Sequence, residues 1–365
     1  MFVPDAIRHC VVFLGLESKD GRFLPKATGF LVDAGEGDYL RTHLITAEHV
    51  VGKLHEMAAK TDEIIVARLN TADGASTTVP LDDAHWWFYP DQFNPSDVAV
   101  TPFSFSRKQF AHSTLLVRNR DISDRILRDE GGALGQEILI LGLFRHHSGT
   151  QRNEPIVRIG NLSAMPQEPV KTEYAGFIEG YLVEARSISG LSGSPVFLNL
   201  MDLHSFDESI SEADKEAASK VKSSADEFVI AKDHSEKGLT AALAKMRADN
   251  VLDLGRFPLL GLMHGHWDVS GMEEAVIEDA NGGRESVNVG IGVVIPIRKI
   301  LETIYQPELV KERAMLQEEE RNRDGAVSDL VEEDPEHPTA DNNPHHKEDF
   351  NSLLDAAVRK TPQGD

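Results

Sequence analysis

The sequence predicts an all-β protein, and two observations support this fold class. Short runs rich in Val, Ile, Leu and Phe recur between turn-forming residues, which is typical of strands. The runs do not alternate with helical segments, which argues against βαβ units and favours barrels or sandwiches. The predicted strands are Ile7–Leu16, Thr28–Asp33, Leu40–Thr46, Glu63–Leu69, Asp97–Thr101, Leu115–Arg118, Glu137–Leu143, Pro155–Ser163, Tyr181–Ala185, Pro195–Asn199, Pro258–His264 and Val287–Ile295.

Helical patterns stand apart from these strands. The segment Ile297–Tyr305, directly after Pro296, predicts a helix that closes the β-rich region. The segment from about 202 to 250 is rich in Ala, Lys, Glu, Asp and Ser and contains no Pro. Apolar residues recur in it at spacings of four and three, so it predicts a helical insertion.

The composition narrows the class of protein and its partners. Of 365 residues, 41% are hydrophobic, which is enough for a sizeable core. The 37 Lys and Arg against 60 Asp and Glu give a net charge of −23, so a nucleic-acid backbone is excluded as an expected partner.

The cysteine count and the absence of long apolar runs predict the compartment. The only cysteine, Cys10, has no partner for an internal disulfide, which favours a reducing environment. The first residues do not resemble a signal peptide, and no run approaches the ~18 apolar residues of a membrane span. We therefore expect a cytoplasmic protein without a membrane segment.

The last stretch, residues 306–365, differs from the rest of the chain. It has 16 acidic and 7 basic residues, five prolines and few large apolar side chains. This composition predicts an acidic and largely disordered tail, in which Pro307–Arg323 could form a helix. The helical insertion and this tail are the expected sites for a regulatory partner.

Three segments carry residues with catalytic chemistry. Thr46-Ala-Glu-His49-Val places a histidine directly after an apolar strand, and Ser96-Asp97-Val-Ala-Val places an aspartate at the head of another. Gly190-Leu-Ser192-Gly-Ser-Pro195 places a serine in a glycine-rich turn before a strand. The order histidine, aspartate, serine, with each residue at a strand edge, makes a chance coincidence improbable.

The three residue types fit one another chemically. A serine hydroxyl becomes nucleophilic when an imidazole takes its proton, and a carboxylate on the other ring nitrogen orients that imidazole. The glycines allow a sharp turn in which backbone N–H groups converge on a developing oxyanion. The N–H groups of Gly190 and Ser192 are the candidates for this oxyanion hole.

Together the segments resemble the motifs of trypsin-like serine peptidases, which read Thr-Ala-x-His, Asp-Ile-Ala-Leu and Gly-Asp-Ser-Gly-Gly-Pro. Thr28-Gly-Phe-Leu-Val and Gly290-Ile-Gly-Val-Val-Ile-Pro296 are more similar to the bacterial HtrA-like members. The resemblance covers about residues 5–305 apart from the insertion. No PDZ module is recognisable after it.

This resemblance implies a chymotrypsin-like fold of two packed antiparallel β-barrels, the first at about 1–110 and the second at about 111–305. The active site would lie between them. His49 would be the general base, Asp97 its orienting carboxylate and Ser192 the nucleophile that forms an acyl-enzyme. Such an enzyme needs no metal or cofactor, and its substrate is a protein or peptide.

Two positions bear on control and specificity. Digestive members have an aspartate just before the serine that pairs with a newly cleaved N-terminus, but Leu191 stands there, so such activation is not expected. Arg186, six residues before Ser192, and His264 would line the primary pocket and suit an acidic P1 side chain. Alternatively, Arg186 pairs with a nearby acid such as Glu184 and His264 merely packs.

Two other functions fit the same motifs. The chain could be a binding or regulatory module that keeps the peptidase fold without turnover, or an esterase that uses the same triad. The fold alone does not decide among these functions.

Overall fold

The computed structural model describes residues 5–36, 39–106, 108–116, 134–145, 147–172, 174–185, 190–199, 251–252, 257–268, 276–278, 284–286 and 288–318. The predicted insertion at 202–250, Arg186 and the tail beyond residue 318 lie outside these described residues.

Strands are the predominant secondary structure of the described residues, in agreement with the predicted fold class. The helices are α1 (Asp5–Arg8), α2 (Glu48–Thr61), α3 (Ile297–Ile304) and α4 (307–318). The strands are β1 (Val11–Glu17), β2 (Phe23–Glu36), β3 (Tyr39–Thr46), β4 (Ile64–Asn70), β5 (Ser76–Pro80), β6 (Trp87–Phe88), β7 (Ala99–Pro102), β8 (Thr114–Leu116), β9 (Glu137–Gly142), β10 (Ile156–Ala164), β11 (Val170–Thr172), β12 (Gly176–Ile178), β13 (Tyr181–Glu184), β14 (Pro195–Leu198), β15 (Val251–Leu252), β16 (Leu259–Asp268), β17 (Val276–Glu278), β18 (Arg284–Ser286) and β19 (Asn288–Pro296).

The strands form two main sheets. The first has nine strands, in the order β5-β4-β1-β2-β3-β7-β6, with β8 paired to β2 and β15 paired to β8. The second is a closed antiparallel barrel in the order β10-β13-β19-β16-β14-β9. The all-β class and a closed second barrel are confirmed, whereas the pairings of the described strands leave the first sheet open.

A common hydrophobic core holds the two sheets together. It contains Phe13 and Phe30 from the first sheet and Phe197 from the barrel, and all three are fully buried. A second cluster, with Ile140 and Val183 among its members, fills the rest of the barrel. Burial of aromatic and branched side chains is the main favourable contribution to such a fold.

The helices differ in how well the sequence predicts them. α3 and α4 lie where helices are expected. No sequence pattern singled out α2, whose apolar face is the short set Val50, Val51 and Leu54. It ends where Asp62 takes a left-handed conformation with φ of 55° and donates its N–H to Ala58 O.

By its contacts the chain divides into two units, Met1–Arg313 and Ala314–Asp365. Within the described residues, no helix is both long enough and apolar enough to span a bilayer.

The close approach of β16 and β19 makes a testable prediction about Gly261. A Cβ atom at this position would overlap with the carbonyl oxygen of Ile295. Gly261→Ala should therefore lower the free energy of unfolding by about 1–3 kcal/mol, as overpacking does in other cores. Urea denaturation measures this change.

Gly52 provides the matched control, because it lies on the exposed face of α2 with open space around its Cα. Gly52→Ala should raise the free energy of unfolding by about 0.5–1 kcal/mol. Equal effects of the two substitutions would contradict the predicted packing of β16 on β19.

Candidate active site

The pairing of β3 with β7 brings His49 and Asp97 to the same edge of the first sheet. Thr46, the last residue of β3, lies opposite Ala99, the first residue of β7. His49 follows Thr46 by three residues and Asp97 precedes Ala99 by two. The antiparallel register therefore places the two side chains together, although they are far apart in the sequence.

Asp97 accepts two hydrogen bonds from His49. The backbone N–H of His49 donates to Asp97 Oδ1 at 2.9 Å, and the ring Nδ1 lies 2.6 Å from Oδ2. The N-cap of α2 is Ala47, which has no side chain to cap the helix. Asp97 supplies the missing acceptor from another strand, and its negative charge suits a helix N-terminus.

A second histidine contacts the same carboxylate. His264, on β16 of the barrel, is hydrogen-bonded through Nδ1 to Asp97 Oδ2 and is 3% exposed. Its ring centroid lies 5.2 Å from that of His49, with an interplanar angle of 69°. The residue expected on a wall of the P1 pocket is therefore buried behind the histidine–aspartate pair.

The hydrogen bonds determine the charge of Asp97. Burial raises the pKa of this carboxyl, but the hydrogen bonds from His264 and His49 outweigh that effect and hold the pKa below its usual range. Burial, together with the nearby charge of Asp97, raises the pKa of Glu48. The site thus contains one firmly ionised carboxylate against two imidazoles.

The turn that carries Ser192 is fixed by contacts with both sheets. Gly193 has φ of +85°, and a Cβ atom there would overlap with Thr28 O and Thr46 Oγ1 of the first sheet. On the barrel side, Gly193 donates its N–H to Met263 O at 2.9 Å. Met263 donates its own N–H to Ser194 O at 2.8 Å. Only glycine fits at position 193 in this arrangement.

Ser192 lies beside the histidines without a hydrogen bond to His49. Its carbonyl accepts the N–H of Thr28 at 3.1 Å, and its Oγ lies 3.8 Å from the position of a Cβ on Gly265, the residue after His264. The described residues contain no hydrogen-bond partner for Ser192 Oγ. Catalytic hydrogen bonds are often long in the absence of substrate.

Of the two predicted oxyanion donors, Gly190 has a backbone conformation that favours glycine. Gly190 has φ of +108°, and its carbonyl accepts a hydrogen bond from Thr28 Oγ1 at 2.7 Å. The carbonyl oxygen is thereby engaged with Thr28. Among the described residues, the N–H groups of Gly190 and Ser192 have no acceptor, so both are available to an incoming oxygen.

An aromatic residue that the sequence patterns do not single out covers His49. Tyr174, at the turn between β11 and β12, stacks on the imidazole with centroids 4.7 Å apart and an interplanar angle of 18°. Lys53 Nζ lies 3.7 Å from the centroid of the same Tyr174 ring. As a result, the side chain of His49 is only 7% exposed. A lone tyrosine in a loop gives no sequence signal for such a contact.

His49, Asp97 and His264 are also residue types that bind metal ions. Their potential ligand atoms all lie within 4.8 Å of one another. However, both Nδ1 atoms are hydrogen-bonded to Asp97 Oδ2, so a cation would have to replace these two bonds. The observed arrangement is that of a carboxylate orienting imidazoles.

The chain was compared with known proteins. No family model and no curated protein matches it. It is similar to the solved MamO protease domain from Magnetospirillum magneticum, at 14% identity over 83% of this chain and 100% of that one, with a TM-score of 0.38.

Two further similar structures are also proteases. The active form of the Rv3671c protease from M. tuberculosis has 12% identity over 82% of this chain and 81% of its own, with a TM-score of 0.39. The HtrA-type protease AlgW with a decapeptide has 15% identity over 80% and 62%, with a TM-score of 0.36. Because these identities and TM-scores are low, the residues of the site itself carry the functional proposal.

The ionised state of Asp97 predicts how stability changes in acid. The pKa of Asp97 is lower in the folded chain than in the unfolded chain, where it is about 3.9. Ionised Asp97 therefore stabilises the fold at pH values above about 3.9, and this contribution is lost as the pH falls below that value. Below that pH, Asp97 should lower the free energy of unfolding of the wild type by up to about 1.4 kcal/mol per pH unit. Asp97→Asn should lack this part of the decrease. Urea unfolding from pH 7 to pH 3 measures it.

Asp82→Asn is the control, because Asp82 Oδ1 accepts a single backbone N–H, that of Ile65, at 3.0 Å, and an amide oxygen can do the same. At pH 7 the free energy of unfolding of Asp82→Asn should stay close to that of the wild type. An Asp97→Asn curve parallel to the wild-type curve would show that the carboxyl is not held ionised by its neighbours.

Proposed function

We propose that this protein is a serine endopeptidase that hydrolyses peptide bonds through an acyl-enzyme, with His49, Asp97 and Ser192 as its triad. The observation that carries the proposal is the pair of hydrogen bonds from His49 to Asp97. With the Nδ1 proton directed to the carboxylate, Nε2 is the ring nitrogen left to accept a proton.

The proposed reaction begins when Ser192 Oγ attacks the carbonyl carbon of the substrate. His49 Nε2 takes the hydroxyl proton, and Asp97 stabilises the imidazolium that results. The N–H groups of Gly190 and Ser192 donate to the carbonyl oxygen as it becomes negative. The C–N bond then breaks, and the amine leaves with the proton from His49.

The second half of the reaction returns the enzyme to its starting state. Water gives a proton to His49 Nε2 as its oxygen attacks the acyl ester, and the same oxyanion donors stabilise the new intermediate. Breakage of the ester bond returns the proton to Ser192 Oγ and releases the carboxylic acid product. None of these steps requires a metal or cofactor.

We further propose a protein or peptide substrate and a cytoplasmic location, with an acidic P1 residue favoured by Arg186. Because His264 is buried against Asp97, Arg186 is the remaining side chain that would favour an acidic P1 residue. The insertion at 202–250 and the tail remain the proposed sites for a regulatory partner.

A catalytically silent binding module is the second candidate, and two observations favour it. Tyr174 covers the imidazole of His49, and the hydrogen bond between His49 and Ser192 is not formed. A protein that uses this fold only for binding does not need an accessible imidazole at His49. Reactivity of Ser192 therefore decides between the two candidates.

A fluorophosphonate probe tests for an activated serine. The purified wild type should be labelled, and Ser192→Ala should abolish labelling because the attacking oxygen is gone. His49→Ala should lower the labelling rate by about 10³-fold or more, since triad members act as a unit. Absence of labelling in folded wild-type protein would support the silent module. Matched ester and amide substrates would separate an esterase from a peptidase.

The contact between Tyr174 and His49 predicts a gain of reactivity on mutation. Tyr174→Ala removes a stacked aromatic pair of about 0.5–1.5 kcal/mol, so it should raise the fluorophosphonate labelling rate about 2–10-fold. Tyr174→Phe keeps the ring and is the control, which should label as the wild type does. A rate unchanged or lowered in Tyr174→Ala would contradict a covering role for this ring.

A further inference from the structure

We propose that His264 is a positioning residue for the triad, because its hydrogen bond holds Asp97 in the orientation from which the carboxylate binds His49. This inference rests on the proposed peptidase function of the same site. It assigns a purpose to a buried histidine that the reaction itself does not use.

Three hydrogen bonds hold the buried carboxylate of Asp97. Asp97 is 1% exposed, so its oxygens depend on protein donors instead of water. Oδ1 accepts the backbone N–H of His49, and Oδ2 accepts both ring Nδ1 groups, from His49 and from His264. Both hydrogen bonds from His49 come from helix α2. The bond from His264 is the one that ties the carboxylate to a different sheet.

The backbone of β16 is irregular at His264. The pairing of β16 with β19 shifts register between Met263 and Gly265, so His264 lies in a bulge. Bulges redirect a side chain out of the regular alternation of a strand, and they are frequent next to active sites. This one places the imidazole against Asp97.

The residues on either side of His264 contact the turn that carries Ser192. Met263, its neighbour in the chain, exchanges backbone hydrogen bonds with the serine turn, through Gly193 N–H and Ser194 O. Gly265, its other neighbour, lies beside Ser192 Oγ. One short segment of β16 thus contacts both Ser192 and Asp97, and it can set the spacing between the nucleophile and the base.

Two substitutions separate positioning from simple packing. In His264→Asn the amide nitrogen can take the place of Nδ1 and donate to Asp97 Oδ2, whereas His264→Leu fills a similar volume without a donor. The fluorophosphonate labelling rate should fall about 10–100-fold in His264→Leu, which is the range expected for loss of a hydrogen bond to a charged group. It should stay within about 3-fold of wild type in His264→Asn.

A second readout does not depend on activity. In protein with ¹⁵N-labelled histidine, the Nδ1 protons that bind Asp97 should give NMR signals protected from exchange with water. The signal of His49 should persist in His264→Asn and should be lost or broadened in His264→Leu. His112→Asn is the control, because His112 is buried on other partners, His9 O and Asn70 N–H, and its loss should leave the His49 signal intact.

The outcomes can be told apart. An unchanged His49 signal in His264→Leu, or equal labelling of the Leu and Asn variants, would overturn the positioning role. A wild type that is not labelled would overturn the proposed function, while the NMR comparison would still test whether His264 holds the pair. If His264→Leu does not fold, as judged by urea denaturation, His264→Ala takes its place, and added imidazole should then recover the His49 signal.

Discussion

The buried carboxylate of Asp97 is the interaction on which the rest of this site depends. An ionised group inside a protein is tolerated only where donors replace its water, and here the donors are the N–H of His49 and the rings of His49 and His264. The same three contacts start helix α2, orient its first-turn histidine and join the first sheet to the barrel. The geometry of the proposed triad and the packing of the two sheets therefore depend on the same hydrogen bonds.

The glycine-rich turn that carries Ser192 also contacts both sheets. Gly193 fits against Thr28 and Thr46 of the first sheet because it has no Cβ, and its backbone is bonded to Met263 of the barrel. Thr28 also binds the Gly190 carbonyl through its hydroxyl, while the N–H groups of Gly190 and Ser192 have no acceptor among the described residues. Glycines in this motif thus serve close approach as much as they serve the conformation of the turn.

The sequence predicts the strands and the chemistry better than it predicts contacts between distant segments. Runs of branched and aromatic residues identify every strand of the closed barrel. The pattern is plainest in β9 and β14, which are buried on both faces. Three short motifs name His49, Asp97 and Ser192, since each motif is local. The partner of His264 could not be predicted, because a bulge in β16 decides which way that side chain points. The stacking of Tyr174 on His49 joins a hairpin to a helix and leaves no periodic signal either.

These contacts also bear on how a peptidase of this kind would be controlled. Leu191 stands where an activating ion pair would need an aspartate, and both hydrogen bonds between His49 and Asp97 are formed. The proposed base is therefore already bound to its carboxylate in this structure. What remains variable is access to His49. Tyr174, a residue that is 47% exposed, lies on the imidazole and is held by stacking and by the ammonium of Lys53. Contacts of that size amount to about 1–2 kcal/mol, so a substrate or partner with a modest preference for the uncovered state could shift the balance.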